Sequence, residues 1–206
     1  TCPDDGGNLS VILDYGVLSR NISPQDIIGS KEASIWRYQA LLPVADPGMQ
    51  FTPLHKVGYT PIYQSSRLSS ALGLKQLWFK DESGNPSASF KDRASAVALA
   101  RAKEIGAEVI VAASTGNAGA ATACLAAAMN MPAIILAPRN APPAKIAQLL
   151  IFGARVILVD GSYDDAFDLS IAATQAFGWY NRNTGYNPFT TEGKKTAAFE
   201  IWEQLI

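Results

Sequence analysis

Three short runs constrain the fold of this chain more than anything else in it. Val109–Ala113, Ala133–Ala137 and Val156–Val159 contain no polar residue. A half-buried strand alternates polar and apolar side chains, whereas a strand covered on both faces reads as a continuous apolar run. A stretch with helical spacing follows each run. The first is the alanine-rich Asn117–Met129. The second opens at Pro142-Pro143 and ends at Gly153. The third is Tyr163–Phe177, with Phe167, Ile171 and Phe177 as its expected apolar face. Proline suits a helix start, where a missing N–H costs little. Trp179-Tyr180 opens one more short strand. Such repetition predicts an α/β chain with an open parallel sheet and right-handed crossovers. Ligands of these sheets bind at the carboxyl ends of the strands.

The chemistry-bearing stretch lies just upstream. Leu77–Phe79 reads as a strand and Ala94–Ile105 as a helix that stops at Gly106. Between them runs Glu82-Ser-Gly-Asn-Pro-Ser-Ala-Ser-Phe-Lys-Asp-Arg93, whose Ser-Gly and Asn-Pro pairs mark an irregular loop. Ser89 is the expected N-cap, which puts Lys91 in the first helical turn. The positive end of the helix dipole disfavours a cation there. A neutral amine can attack a carbonyl and an ammonium cannot. By position alone, Lys91 reads as a solvated surface residue beside Asp92 and Arg93.

Asn85-Pro-Ser-Ala-Ser-Phe-Lys91-Asp-Arg93 resembles the lysine motif of the threonine synthases, Asn-Pro-Thr-Gly-Ser-Phe-Lys-Asp-Arg. These belong to the fold-type-II pyridoxal phosphate enzymes, the tryptophan synthase β-like group. Ser87 and Ala88 replace the motif's Thr-Gly. Other segments are similar to the family in the same order: Thr52-Pro-Leu54 and Thr60-Pro-Ile62, Ser114-Thr-Gly-Asn-Ala-Gly119, and Asn187-Pro-Phe189 with Glu192–Glu200. The resemblance implies three-layer open parallel sheets, with this chain covering about the N-terminal half.

It also implies a layout. Residues 1–55 form an arm with a degenerate zinc-ribbon-like start. Residues 56–93 begin the large domain and carry the lysine loop. Residues 94–190 form a smaller α/β domain, and 191–206 return towards the large one. The implied cofactor is pyridoxal phosphate, with Lys91 as the catalytic residue that bonds its aldehyde and moves protons. Phe90 and Asn117 join Lys91 as cofactor-binding residues, and Ser114, Thr115, Gly116 and Asn117 hold the substrate carboxylate. The implied reaction converts O-phosphohomoserine and water to threonine and phosphate, a carbon–oxygen lyase step in threonine biosynthesis.

Thr190 stands where the family has an arginine, the natural fork for phosphate. Lys194, Lys195, Arg182 and Lys145 are the cations that could stand in. A serine/threonine ammonia-lyase or a cysteate synthase is therefore the rival within the family. A non-catalytic binding protein on the same fold is the rival outside it. A dinucleotide-binding turn is disfavoured, since only Gly116 and Gly119 fit Gly-x-Gly-x-x-Gly. The family's Gly-rich phosphate loop is not found in these residues, so this stretch alone is expected to hold the cofactor weakly.

Composition narrows the rest. Hydrophobic residues make up 48% and charged residues 17%, enough to bury a core. A formal net charge of −1 gives no electrostatic case for nucleic acid or an anionic membrane. Cys2 and Cys124 make no disulfide framework, so a cytoplasmic setting is expected. The ribbon-like start has Asp5 where a second cysteine would stand, and no metal is expected. His55, the one histidine, sits in a Pro/Gly-rich stretch and reads as a packed or surface residue. The expected partner is a small amino acid, and the expected assembly a homodimer.

Overall fold

The fold is that of a computed structural model, which describes Cys2 and residues 4–206. After the arm helices α1 (Tyr15–Asn21) and α2 (Pro24–Ile28) come β1 (Ile62–Gln64), α3 (Ser66–Ala71) and β2 (Trp78–Lys80). Then follow α4 (Lys91–Glu104), β3 (Ile110–Ala113), α5 (Asn117–Ala128), β4 (Ala133–Pro138) and α6 (Pro143–Ile151). The chain continues through β5 (Arg155–Val159), α7 (Tyr163–Phe177), β6 (Tyr180–Asn181) and α8 (Phe189–Leu205).

β3 to β6 form one parallel sheet in the order β5-β4-β3-β6. Every residue of β3 and β4 is buried, as their apolar runs require. α4, α5 and α6 close one face, and α7 packs on the other. β1 and β2 pair antiparallel as a separate two-stranded sheet. The arm packs Ile35, Trp36, Tyr38 and Leu42 into the body. His55 is buried there too, with Nε2 2.8 Å from Gly48 O and 3.1 Å from an Asp46 carboxylate oxygen.

Four expectations need correction. β5 is not a covered strand. It is the edge of the sheet, and Ile157 and Leu158 remain exposed. α7 does not bury Phe177, which is 67% exposed; it turns Ala166, Ser170 and Ala173 inward, because small residues let it lie close on the sheet. α4 begins at Lys91, so Phe90 rather than Ser89 occupies the cap position. The apolar residues within 195–205 predict a helix that starts at Lys195 and buries Phe199, Ile201, Trp202 and Leu205; α8 instead begins six residues earlier and leaves Ile201, Trp202 and Leu205 exposed while burying Gly193, Thr196 and Glu200.

The ribbon-like start is a tight turn in which Cys2 N–H donates to Gly7 O at 2.8 Å. Thr1 and Pro3 lie outside the described residues. Among those described, no cluster of histidine, cysteine and carboxylate side chains could hold a metal. None of their helices is long and apolar enough to cross a membrane.

Candidate active site

The lysine loop is held from both ends. At its start, Asn85 Oδ1 accepts Gly58 N–H at 2.8 Å and Asn85 Nδ2 donates to Glu82 at 2.8 Å. Ala88 then adopts φ +57°, a left-handed conformation in which its Cβ is strained. At the far end, Asp92 reaches back and accepts Ser87 N–H at 2.8 Å and Ser87 Oγ–H at 2.6 Å. Asp92 is fully buried. Burial pushes its carboxyl above the ordinary value, and the Ser87 hydrogen bonds oppose that push.

Arg93, also fully buried, anchors the first turn of α4. Its guanidinium donates to both Glu82 oxygens at 2.7 Å, to Glu200 at 2.6 and 2.7 Å, and to Thr196 Oγ1 at 3.0 Å. Lys80 completes the group, 2.7 Å from Glu200. Burial works to raise the Glu200 carboxyl, yet hydrogen bonding and charge from Arg93, with help from Lys80, hold it below the usual carboxylate range.

Between these clamps stands Lys91, half-buried, with its N–H donated to Ser89 Oγ at 3.2 Å. Its ammonium nitrogen lies 5.7 Å from the centre of the Phe90 ring. Among the described residues no carboxylate is within ion-pair reach of it, although Asp92 is its neighbour in sequence. Asp92 and Arg93 have each other commitments, so the amine is left uncommitted.

The second wall is the turn from β3 into α5. Ser114 Oγ accepts the N–H groups of Gly116 at 3.2 Å and Gly119 at 2.9 Å, which folds the turn over its own side chain. A Cβ at Gly119 would meet Ser114 Cβ at 3.3 Å and Leu149 at 3.1 Å, so glycine lets the turn approach without its neighbours giving way. The N–H groups of Thr115, Asn117 and Ala118 find no acceptor among the described residues. They form an N–H-lined helix mouth suited to an anion. Asn117 is exposed at the first position of α5, and its side chain is uncommitted.

The sequence of residues 54–206 matches the family described as "Pyridoxal-phosphate dependent enzyme". The chain belongs to this family. Among its relatives is a threonine synthase of Methanocaldococcus jannaschii, 39% identical over all 206 residues and covered over 50% of its length. Another threonine synthase, from Methanosarcina acetivorans, is 36% identical over 206 residues and covered over 49%. The chain thus spans about half the length of the curated relatives it matches. Solved structures share the fold. The Escherichia coli diaminopropionate ammonia lyase in apo form superposes with a TM-score of 0.64 at 26% identity, over 71% of this chain and 46% of that one. Maize serine racemase superposes with a TM-score of 0.65 at 28% identity, over 71% and 44%.

The residues present fit the aldehyde of the family's cofactor. An uncommitted amine is available to the carbonyl, and N–H donors and an unsatisfied guanidinium are available to anions. That guanidinium belongs to Arg182, whose Nη2 is buried without an acceptor among the described residues. Position 190 supplies no cation: Thr190 is fully buried and its hydroxyl donates to Asn187 O at 2.9 Å. Lys195 is paired with Glu192.

The clamp residues Asp92 and Arg93 went unread as functional in the sequence, where they look like solvated flanking charges. The available signal was their charge within a loop that must be held rigid. A cavity of about 700 Å³ at the opposite, amino ends of β3 and β6 is lined by Ile105, Val109, Phe177, Tyr180 and Phe189, and no expected site residue reaches it.

Proposed function

We propose that the full protein is a threonine synthase, converting O-phosphohomoserine and water to threonine and phosphate. The observation that carries this reading is Lys91, presented uncommitted at the mouth of α4. Relatives named threonine synthase that align over the whole chain support it. The cofactor, when bound, supplies an aldehyde that takes up an amine and a ring that stores electrons.

The chain's own residues do the rest. Lys91, once its amine is free, accepts a proton from one substrate carbon and returns it to another. The Thr115, Asn117 and Ala118 N–H groups hold the substrate carboxylate, while Ser114 keeps the turn in shape. Asp92 and Arg93 fix the loop, so the amine is delivered in one geometry. Phe90 borders the amine and excludes water on that side. We read residues 56–93 and 191–206 as parts of one domain and 94–190 as another. The reading also carries with it a cytoplasmic homodimer, which fractionation and sedimentation of the full protein would test.

The test is turnover. The full protein with cofactor is expected to release threonine and phosphate together from O-phosphohomoserine. Release of ammonia from threonine or serine, with no reaction on the phosphorylated substrate, would instead establish the ammonia-lyase reading. The buried Thr190 in the family's arginine position favours that second reading.

A further inference from the structure

Arg182 is an anomaly of this fold. Its backbone continues β6, with its N–H bonded to Val111 O at 2.9 Å, and the next residue, Asn183, accepts Ala113 N–H at 2.9 Å through Oδ1. Arg182 therefore emerges at the carboxyl end of the sheet, beside the strand that leads into the Ser114–Asn117 turn. It is only 2% exposed. Its Nε donates to Ser95 Oγ at 3.1 Å, while Nη2 has no acceptor and no carboxylate pairs with it among the described residues. A buried guanidinium remains charged, and leaving it unpaired is costly. Burial pushes its pKa down to about 10, against the weaker pull of Tyr163 and Asp92.

Ser95 follows Lys91 by one helical turn, so the two share a face of α4. Arg182 thus meets α4 one turn on from Lys91. Lys194 reaches the same region from α8, with Nζ 3.3 Å from Thr184 Oγ1. Burial lowers its pKa, and the charges of Arg182 and Lys91 lower it further. Lys194 therefore stands close enough to Arg182 and Lys91 for both charges to act on it. The carboxylate whose charge acts on Arg182, Asp92, is spent on Ser87.

Neighbouring strands stand about 4.8 Å apart, so the N–H-lined turn after β3 and the guanidinium after β6 suit the two anionic ends of one small molecule. We propose that Arg182, assisted by Lys194, binds the phosphate monoester end of the substrate amino acid. The α-carboxylate then lies on the Thr115–Ala118 turn, and the reacting carbons between them face Lys91. This assignment rests on the full protein being a pyridoxal phosphate enzyme that acts on an amino acid. It makes Arg182 a specificity-determining residue. The same chemistry would suit the cofactor's own phosphate, so the experiment must separate the two.

Full-length protein would be loaded with cofactor and titrated with inorganic phosphate, read by calorimetry, in the wild type and in Arg182→Met, Arg182→Lys and Lys194→Gln. Separately, each protein would be titrated with pyridoxal phosphate and with pyridoxal, read by absorbance. Losing one charge-assisted bond to phosphate corresponds to about tenfold to a hundredfold in affinity. Arg182→Met is expected to weaken phosphate binding by that factor, with partial recovery in Arg182→Lys. Lys194→Gln should weaken it several-fold. Cofactor affinity should stay within about twofold of wild type, and KM for O-phosphohomoserine should rise more than kcat falls.

Unchanged phosphate affinity in a folded Arg182→Met would overturn the proposal. If that variant does not fold, unchanged affinity in the half-buried Lys194→Gln does so. Loss of affinity for pyridoxal phosphate but not for pyridoxal would overturn it in favour of the cofactor's phosphate. If the wild type binds phosphate through Arg182 yet turns over no phosphorylated amino acid, the reaction reading fails. The substrate assignment then falls, and the anion site alone remains.

Discussion

Single residues in the lysine loop carry opposite kinds of information. Lys91 is free to react because its neighbours are not free: Asp92 is bonded to Ser87, and Arg93 to two glutamates. Lys91→Ala in the full protein is expected to leave the fold and the cofactor-free melting temperature near wild type and, with cofactor, to lower turnover by about a hundredfold or more. Borohydride reduction with cofactor present, followed by peptide mapping, should label Lys91 in the wild type and no peptide in the variant. A label at another lysine would end the assignment. Ala88 carries strain instead. Its φ of +57° costs about 1 kcal/mol that glycine would not incur, partly offset by glycine's freer unfolded chain. Ala88→Gly is therefore expected to stabilise the protein by about 0.5 kcal/mol in urea unfolding, and a loss of stability would show that the loop does not hold this conformation.

Elements were legible in the sequence where one rule decided them. β3 and β4 announced themselves because burial on both faces leaves an unbroken apolar run. The turn after β3 was legible because a glycine-bearing segment links an apolar strand to a small-residue helix. α8 was not legible, and the reason is physical. Its buried face is Gly193, Thr196 and Glu200, and its exposed face carries Ile201, Trp202 and Leu205, which reverses the usual pattern. The reversal has its cause on another helix: Arg93 needs Glu200 and Thr196 as partners, and its backbone needs Gly193. A Cβ at Gly193 would fall 2.1 Å from Arg93 O, so Gly193→Ala should destabilise by about 2–3 kcal/mol or more, or force α8 off α4. Glu200→Gln tests the charge. The folded Glu200 carboxyl titrates below its unfolded value, so its contribution is whole above the unfolded carboxylate range and is lost as pH falls through the lowered value. Asp92 works the other way: its raised carboxyl favours folding at low pH, and that contribution is lost as pH rises. The diagnostic is therefore the difference between proteins. Wild type should lose its advantage over Glu200→Gln on acidification, and a gap that does not change with pH would remove Glu200 from the account.

The whole molecule brings two separately built parts to one place. The lysine loop is tied to the segment around β1 through Gly58, Thr60 and Glu82, whereas the Ser114–Asn117 turn and Arg182 emerge from the parallel sheet. α4 joins them, with Lys91 at its mouth and Ser95 under Arg182 one turn on. A ligand bonded to Lys91 and hydrogen-bonded to the turn after β3 would bridge both parts, and the bridge would be lost on unfolding. Binding confined to the folded state stabilises it by mass action, by about 2.7 kcal/mol at a hundred times the dissociation constant. The full protein is therefore expected to melt several degrees higher with pyridoxal phosphate, and the gain should grow with cofactor concentration. Pyridoxal should give a smaller gain, since it lacks the anion. In Lys91→Ala only the part due to non-covalent contacts should remain. A melting temperature indifferent to cofactor would mean that nothing bridges the loop and the sheet. An undiminished gain in Lys91→Ala would mean that the bridge does not pass through the amine.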